Sequence, residues 1–192
     1  MSHANVIIIA GPNGAGKTTA APALLNSTIE VSDFVNADII AHGLSFFKPE
    51  EAELQAGRIM LSRLKELASQ NDNFAFETTL ASRTFASWIA KLRNNGYLFH
   101  LFFLWLPSEE FAIQRVEKRV LMGGHNVPEE TIRRRYHRGL KNFFKLYSPI
   151  AHNWYFFDAS ARLPKLIAYG QEHHDKRVAH PAMWERLKGS YK

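Results

Sequence analysis

A short apolar run, Val6–Ala10, leads directly into Gly11-Pro12-Asn13-Gly14-Ala15-Gly16-Lys17-Thr18-Thr19, and an alanine-rich stretch follows. This order constrains the fold more than any other feature of the chain. The glycines let the backbone wrap closely, so that successive N–H groups converge on one point. A helix starting at the end of the wrap adds the positive end of its dipole at the same place. The product is a cradle for phosphate oxygens. Every fixed position of the G-x-x-x-x-G-K-[ST] pattern is filled, and the motif lies between a strand and a helix, where the chemistry needs it. Gly11 through Thr19 are therefore expected to hold the phosphates of a nucleotide. Lys17 would reach the β and γ phosphates, and the Thr18 hydroxyl would take a place on Mg²⁺. The spacing of Gly11, Gly14 and Gly16 does not match G-x-G-x-x-G, which excludes a dinucleotide fingerprint. A glycine-rich turn with an incidental lysine is the plain alternative, and the flanking strand and helix argue against it.

The remaining apolar runs repeat the strand-then-helix rhythm. Phe34–Asp38, Phe74–Thr79, Tyr97–Leu106 and Trp154–Asp158 join Val6–Ala10 as five expected strands. Their near-continuous apolar character suits a parallel sheet covered on both faces. Between them, residues 50–69 place Leu54, Ile59, Leu61, Leu64 and Leu67 near helical spacing. Residues 83–94 do the same with Phe85, Trp88, Ile89 and Leu92, and Asn95-Gly96 supplies a stop. Ser108 is placed to cap a helix that opens with Glu109 and Glu110, and Pro128-Glu129-Glu130 marks another start. No linker, repeat or low-complexity segment interrupts this alternation, so residues 1–192 read as one α/β domain. The tail from about residue 171 to 192 is polar, with Trp184 and Leu187 as candidate anchors.

Composition narrows the function classes. Nearly half the residues are apolar (46%), which excludes a disordered chain. No apolar run is long enough to span a bilayer, and no basic stretch precedes a long apolar segment at the start, so neither membrane insertion nor secretion is expected. Cysteine is absent, which rules out disulfides and thiolate metal sites and suits a cytoplasmic address. The adjacent pair His173-His174 does not share a helix face and is rejected as a zinc site. The net charge of +6 is concentrated: nine lysines and arginines against three glutamates lie between Arg115 and Lys145.

Two carboxylates fall where ligands of open α/β sheets bind, beyond the carboxyl ends of strands. Asp38 closes the second expected strand and Glu77 lies near the end of the third. Either could accept a proton from an attacking hydroxyl or support Mg²⁺. Asp38 is assigned as general base and Glu77 as metal or substrate support, with the reverse assignment open. The structural alternative is that Asp38 caps a helix and Glu77 pairs with a lysine. Thr78, Thr79 and Ser82 are substrate contacts or helix caps on equal grounds.

Arg115, Lys118 and Arg119 recur at helical spacing, and Gly123-Gly124-His125 then precedes a second basic stretch carrying Arg134 and Arg138. Guanidinium groups clamp phosphoryl oxygens bidentately, so residues 115–145 are expected to form an arginine-rich lid closing over the nucleotide. His125 is a candidate phosphate contact at its hinge. A solvated basic face is the competing reading. Tyr136, Phe143 and Phe144 interleave with these cations, which raises nucleic-acid binding as an alternative, though the two phenylalanines suit a core better.

Taken together, GPNGAGKTT, NAD, FETT and GGHNVPEETIRRRYHRGLKNF resemble the zeta toxin family of P-loop kinases, over roughly residues 5 to 160. The resemblance implies an α/β P-loop NTPase fold of the nucleoside-kinase type: three layers, a five-stranded mostly parallel sheet, and an arginine-rich lid. It implies ATP and Mg²⁺ as cofactors and phosphotransfer to a hydroxyl of UDP-N-acetylglucosamine. Lys17 then matches the nucleotide lysine, Asp38 the base, Glu77 the substrate-side glutamate, and Arg115 or Arg119 the first lid arginine. His125 stands where a second lid arginine is expected, with Arg133 to Arg138 following. A separately encoded antitoxin would be the implied partner. A nucleic-acid 5′-hydroxyl kinase, an RNA-dependent ATPase and a nucleotide-binding switch are the alternatives.

Overall fold

A computed structural model describes residues 3–26, 31, 33–45, 49–172 and 174–191. A seven-stranded sheet forms its centre, in the order β2-β3-β1-β4-β5-β6-β7. The strands are β1 (Asn5–Ala10), β2 (Asp33–Val35), β3 (Phe74–Thr78), β4 (Leu98–Trp105), β5 (Asn153–Asp158), β6 (Lys165–Gln171) and β7 (His174–Val178). The first five, those expected from the apolar runs, pair in parallel. β6 and β7 extend the sheet in antiparallel fashion.

β1 is buried along Val6–Ala10 because both its faces are covered. Val6, Ile8 and Ala10 join the main core with Leu64, Ile89, Val116 and Leu140. Those four side chains come from α3 (Pro49–Gln70), α4 (Thr84–Asn94), α5 (Glu109–Leu121) and α6 (Glu129–Asn142). Ile7 packs with Ala75 and Phe102 in a second cluster, which Leu24 and Leu25 of α1 (Lys17–Asn26) help cover. The chain thus alternates its side chains between two layers of helix, as a strand's period of two requires.

Local signals set several boundaries. Ser108 Oγ accepts from Phe111 N–H at the start of α5, and Glu109 and Glu110 occupy its first turn. α4 stops where Gly96, at φ +93°, lets Tyr97 N–H reach Leu92 O. The second strand ends earlier than its apolar pattern suggests. Asn36 caps the next helix, α2 (Ala37–Leu44), its side chain accepting from Asp38 and Ile39 N–H. Asp38 therefore stands in the first turn of a helix, not at the end of a strand. Along α3, Leu64 and Leu67 are buried as expected, but Leu54, Ile59 and Leu61 are exposed. Ala52 and Ala56 are buried in their place, forming a small core with Ala41 of α2 that allows close helix approach.

The C-terminal tail docks. α7 (Pro181–Tyr191) buries Trp184 and Leu187, and the Trp184 ring stacks on Trp154 at 5.3 Å. Its Nε1–H donates to Asp175 Oδ2 of β7 at 2.9 Å. Phe143 and Phe144 belong to the same aromatic core, and Tyr136 is buried with its hydroxyl on Leu106 O. None of these rings offers a face for base stacking. His174 lies on β7, and His173 lies outside the described residues.

Candidate active site

The phosphate loop bridges β1 and α1 as its sequence demands. Gly11 adopts φ +144°, and a Cβ there would collide with the Leu104 carbonyl of the neighbouring strand. Gly14, at φ +79°, comes so close to α5 that its Cβ would sit 2.7 Å from Arg115 Cβ. Lys17, only 7% exposed, donates to Pro12 O at 3.0 Å and lies 3.6 Å from Glu77 Oε1. A buried ammonium needs both partners, because an unpaired charge there would be costly.

Glu77 is the hub of this network. Its Oε2 accepts from the Thr18 hydroxyl at 2.7 Å and from Asn36 Nδ2 at 2.8 Å. A hydroxyl oxygen beside a carboxylate is a hard-oxygen donor set of the kind Mg²⁺ prefers, so these residues fit that ion. Asp38 differs. It is exposed, lines the adjoining cleft, and its carboxylate has no hydrogen-bond or ion-pair partner among the described residues.

Two concavities flank the loop. The first, about 470 Å³, meets Asn13, Lys17, Asp38, Glu77, Thr78 and Thr79. Its far wall is α3, through Glu53, Leu54, Arg58 and Leu61, and α6 adds Arg135. Asn13 is buried at its edge, and its Oδ1 has no hydrogen-bond partner. The second concavity, about 700 Å³, lies on the opposite side, against Ala15, Gly16 and Thr19. The segment after β5 closes it with Arg162 and Leu163, and Arg115 borders it.

The basic candidates separate in space. Arg115 stands at the phosphate loop, donating to Ser160 O at 2.6 Å. Arg119 is turned to the α5–α6 connection, where it donates to His125 O at 2.7 Å. His125 lines neither concavity; its Nε2 lies 2.9 Å from Glu53 Oε1 on α3. Arg134 is exposed and meets Thr131 Oγ1, while its neighbour Arg135 enters the cleft. Arg133 is an internal tie, bound to Glu109, Glu110 and Glu129. The segment expected as a lid is anchored here through Arg119, His125 and buried Val127. Thr78 Oγ1 accepts from Leu80 N–H at 3.2 Å, and Ser82 Oγ accepts from Thr84 N–H at the start of α4.

Arg135, Glu53, Arg58, Arg162 and Leu163 were not singled out from sequence. Arg135 carried a usable signal, because it lies three residues after Ile132 and four before Gly139, both buried on α6. Glu53 and Arg58 carried none, since they read as solvated helix charges.

A mostly parallel sheet, a strand–glycine loop–helix and a lysine beside a hydroxyl–carboxylate pair define the P-loop NTPase fold in its kinase-like form. The chain belongs to the AAA domain family, whose model matches residues 6–140. A relative from Haemophilus influenzae, described as an uncharacterized protein, is 26% identical over 130 residues, 68% of this chain and 91% of that one. Among solved structures, the AvrRxo1-ORF1:-ORF2 complex with ATP superposes with a TM-score of 0.74 at 16% identity, over 96% of this chain. The chain spans 63% of that protein's length. The PezAT chromosomal toxin–antitoxin system of Streptococcus pneumoniae gives a TM-score of 0.65 at 17% identity, covering 100% of this chain and 81% of that one. The Pnkp1/Rnl/Hen1 RNA repair complex gives 0.58 at 18%, over 76% and 47%. Likeness at these identities is likeness of fold. No described helix is long and apolar enough to cross a membrane.

Proposed function

We propose that this protein transfers the γ-phosphoryl group of ATP to a hydroxyl of a small molecule. The observation that carries the reading is the contrast between two carboxylates around one lysine. Glu77 is committed to Lys17, Thr18 and Asn36, whereas Asp38 faces the same cleft uncommitted. ATP would lie with its phosphates in the loop and its base in the concavity beside Thr19 and Leu163. Thr18 and Glu77 would hold Mg²⁺, which would neutralise charge on the phosphates. The acceptor hydroxyl would occupy the opposite cleft, with Asp38 as base. Its oxygen forms a bond to the γ phosphorus, its proton passes to an Asp38 carboxylate oxygen, and the bond to the β–γ bridging oxygen breaks. ADP leaves with that electron pair. Lys17 and Arg115 would balance negative charge on the phosphates, and Asn13 and Arg135 would orient the transferred group.

The resemblance to the zeta toxin family suggests UDP-N-acetylglucosamine as the first acceptor to try. A separately encoded antitoxin as partner accords with the PezAT system among the similar folds. Incubation with Mg-ATP and a panel of UDP-sugars, nucleosides and short RNAs, read by mass spectrometry, tests the proposal. The expected product carries one added phosphoryl group and disappears in Lys17→Ala and Asp38→Ala. ATP binding with no transfer to any acceptor would count against it.

A further inference from the structure

Beside the acceptor cleft lies a second basin, about 620 Å³, whose charge the reading so far leaves unused. Arg83, Arg138, Lys141 and Lys145 line it, and no acidic residue does. Arg138, Lys141 and Lys145 recur at three- and four-residue steps, so they share one face at the end of α6 and in the wide turn, Phe143–Tyr147, that continues it. Arg83 faces them from the start of α4. None of the four has a carboxylate partner among the described residues, although Arg133 of the same helix is bound to three glutamates. Like charges gathered around a concavity repel one another, and an anion relieves that repulsion.

The wall between basin and cleft is held by close contacts and hydrogen bonds. Ala81 and Ser82 line both concavities. Gly139 packs against Thr79 O so tightly that a Cβ would collide with it. Asn142 Nδ2, buried, donates to Leu80 O at 2.6 Å, and the Tyr147 hydroxyl donates to Ser82 O at 2.8 Å. Leu80 itself is fully buried at φ +56°, a strained conformation for a leucine that these contacts maintain. The helix and the turn that continues it therefore send Arg135 to one side of the wall and Arg138, Lys141 and Lys145 to the other.

We infer that the basin is an anion subsite of the acceptor, and that the acceptor is a phosphate-bearing small molecule. Its hydroxyl faces Asp38 while its phosphates lie across Ala81–Ser82 among the four cations. The hydroxyl end rests on the phosphotransfer reading; the anion site does not.

The test fills the phosphate loop first, with Mg²⁺ and a non-hydrolysable ATP analogue, and then titrates inorganic pyrophosphate by calorimetry. The wild-type protein is expected to bind one pyrophosphate. The variant Arg138→Gln/Lys141→Gln, altered only at exposed positions, should bind it about tenfold or more weakly. Lys91→Gln, an exposed cation elsewhere, should bind as wild type. No binding to the loaded protein, or equal binding by the double variant, would overturn the inference. So would 5′-hydroxyl oligonucleotides whose affinity grows with length and that pyrophosphate fails to displace, because the basin would then be a strand groove. Turnover plays no part in this readout, so failure of phosphotransfer would leave it intact.

Discussion

On the side proposed to hold the nucleotide, nine consecutive residues, Gly11 through Thr19, form the phosphate loop itself. On the side proposed for the acceptor, the cleft draws on separated pieces: Asp38 from α2, Glu53 and Arg58 from α3, Thr78, Thr79, Ala81 and Ser82 at and beyond the end of β3, Phe85 from α4, and Arg135 from α6. Glu77 ties the cleft to the loop through Lys17 and Thr18, but the two sides differ in what holds them. Backbone geometry fixes the first, through positive φ at Gly11, Gly14 and Gly16. Packing of distant elements fixes the second, through contacts such as Gly139 against Thr79 and Asn142 on Leu80. A local device tolerates change elsewhere in the fold, whereas an assembled one depends on every element arriving together.

Separating the two sides gives the largest expected effect. Asp38→Asn should lower transfer roughly a thousandfold while leaving nucleotide affinity unchanged, as expected when a proton acceptor is removed. Lys17→Ala should lose both, measured by product mass and by nucleotide titration. Undiminished turnover in Asp38→Asn would assign the base elsewhere.

Paired glycine substitutions probe the two kinds of support directly. Gly11→Ala and Gly139→Ala each drive a Cβ into a backbone carbonyl, Leu104 O and Thr79 O respectively. Each should cost about 2 kcal/mol in denaturant unfolding. Their functional consequences should diverge: Gly11→Ala weakens ATP binding, and Gly139→Ala keeps it while impairing the acceptor step. Equal loss of ATP affinity in both would mean the two sides are not mechanically separate. A smaller effect is expected of Arg135→Gln, about tenfold in kcat/KM with little change in stability, since one cation leaves an open cleft.

The smallest effect on function is expected away from both sides, near the opposite ends of the strands, at a site that serves as a control. His100 is buried between Asn5 Oδ1, 3.1 Å from its Nε2, and Asn153 Nδ2, 3.3 Å from its Nδ1. Burial, with His152 nearby, lowers its pKa from 6.5 to about 4. Unfolded chains therefore take up a proton between about pH 6.5 and 4 that the folded protein refuses. Stability should fall as pH drops through that window, by roughly 2 kcal/mol, and level off below it. His100→Asn should flatten the profile in a pH series of thermal melts without altering nucleotide affinity at neutral pH. An unchanged slope would place the acid sensitivity elsewhere.

Much of the parallel sheet was legible because its strands are buried on both faces and read as unbroken apolar runs. β7 was not: His174–Val178 is almost wholly charged and exposed, and it holds its place by backbone pairing along an edge. Leu54 and Leu61 misled for a related reason. Their seven-residue spacing marks one face of α3 equally well whether that face meets the core or an open cleft. Arg134 and Arg135 are indistinguishable as residue types, and only the rotation of α6, set by Ile132, Tyr136 and Gly139, sends the second into the cleft.

The sequence alone determined the phosphate loop, the strand that precedes it and the helix that follows, because each depends on the conformational limits of neighbouring residues. It also placed Asp38 and Glu77 on the same side of the sheet. The tertiary structure decided which carboxylate is committed and which is uncommitted, which arginines face a cavity, and that two basins meet across Ala81–Ser82. Those properties arise between residues far apart in the chain, where relative orientation is fixed by packing and by hydrogen bonds that no local pattern encodes.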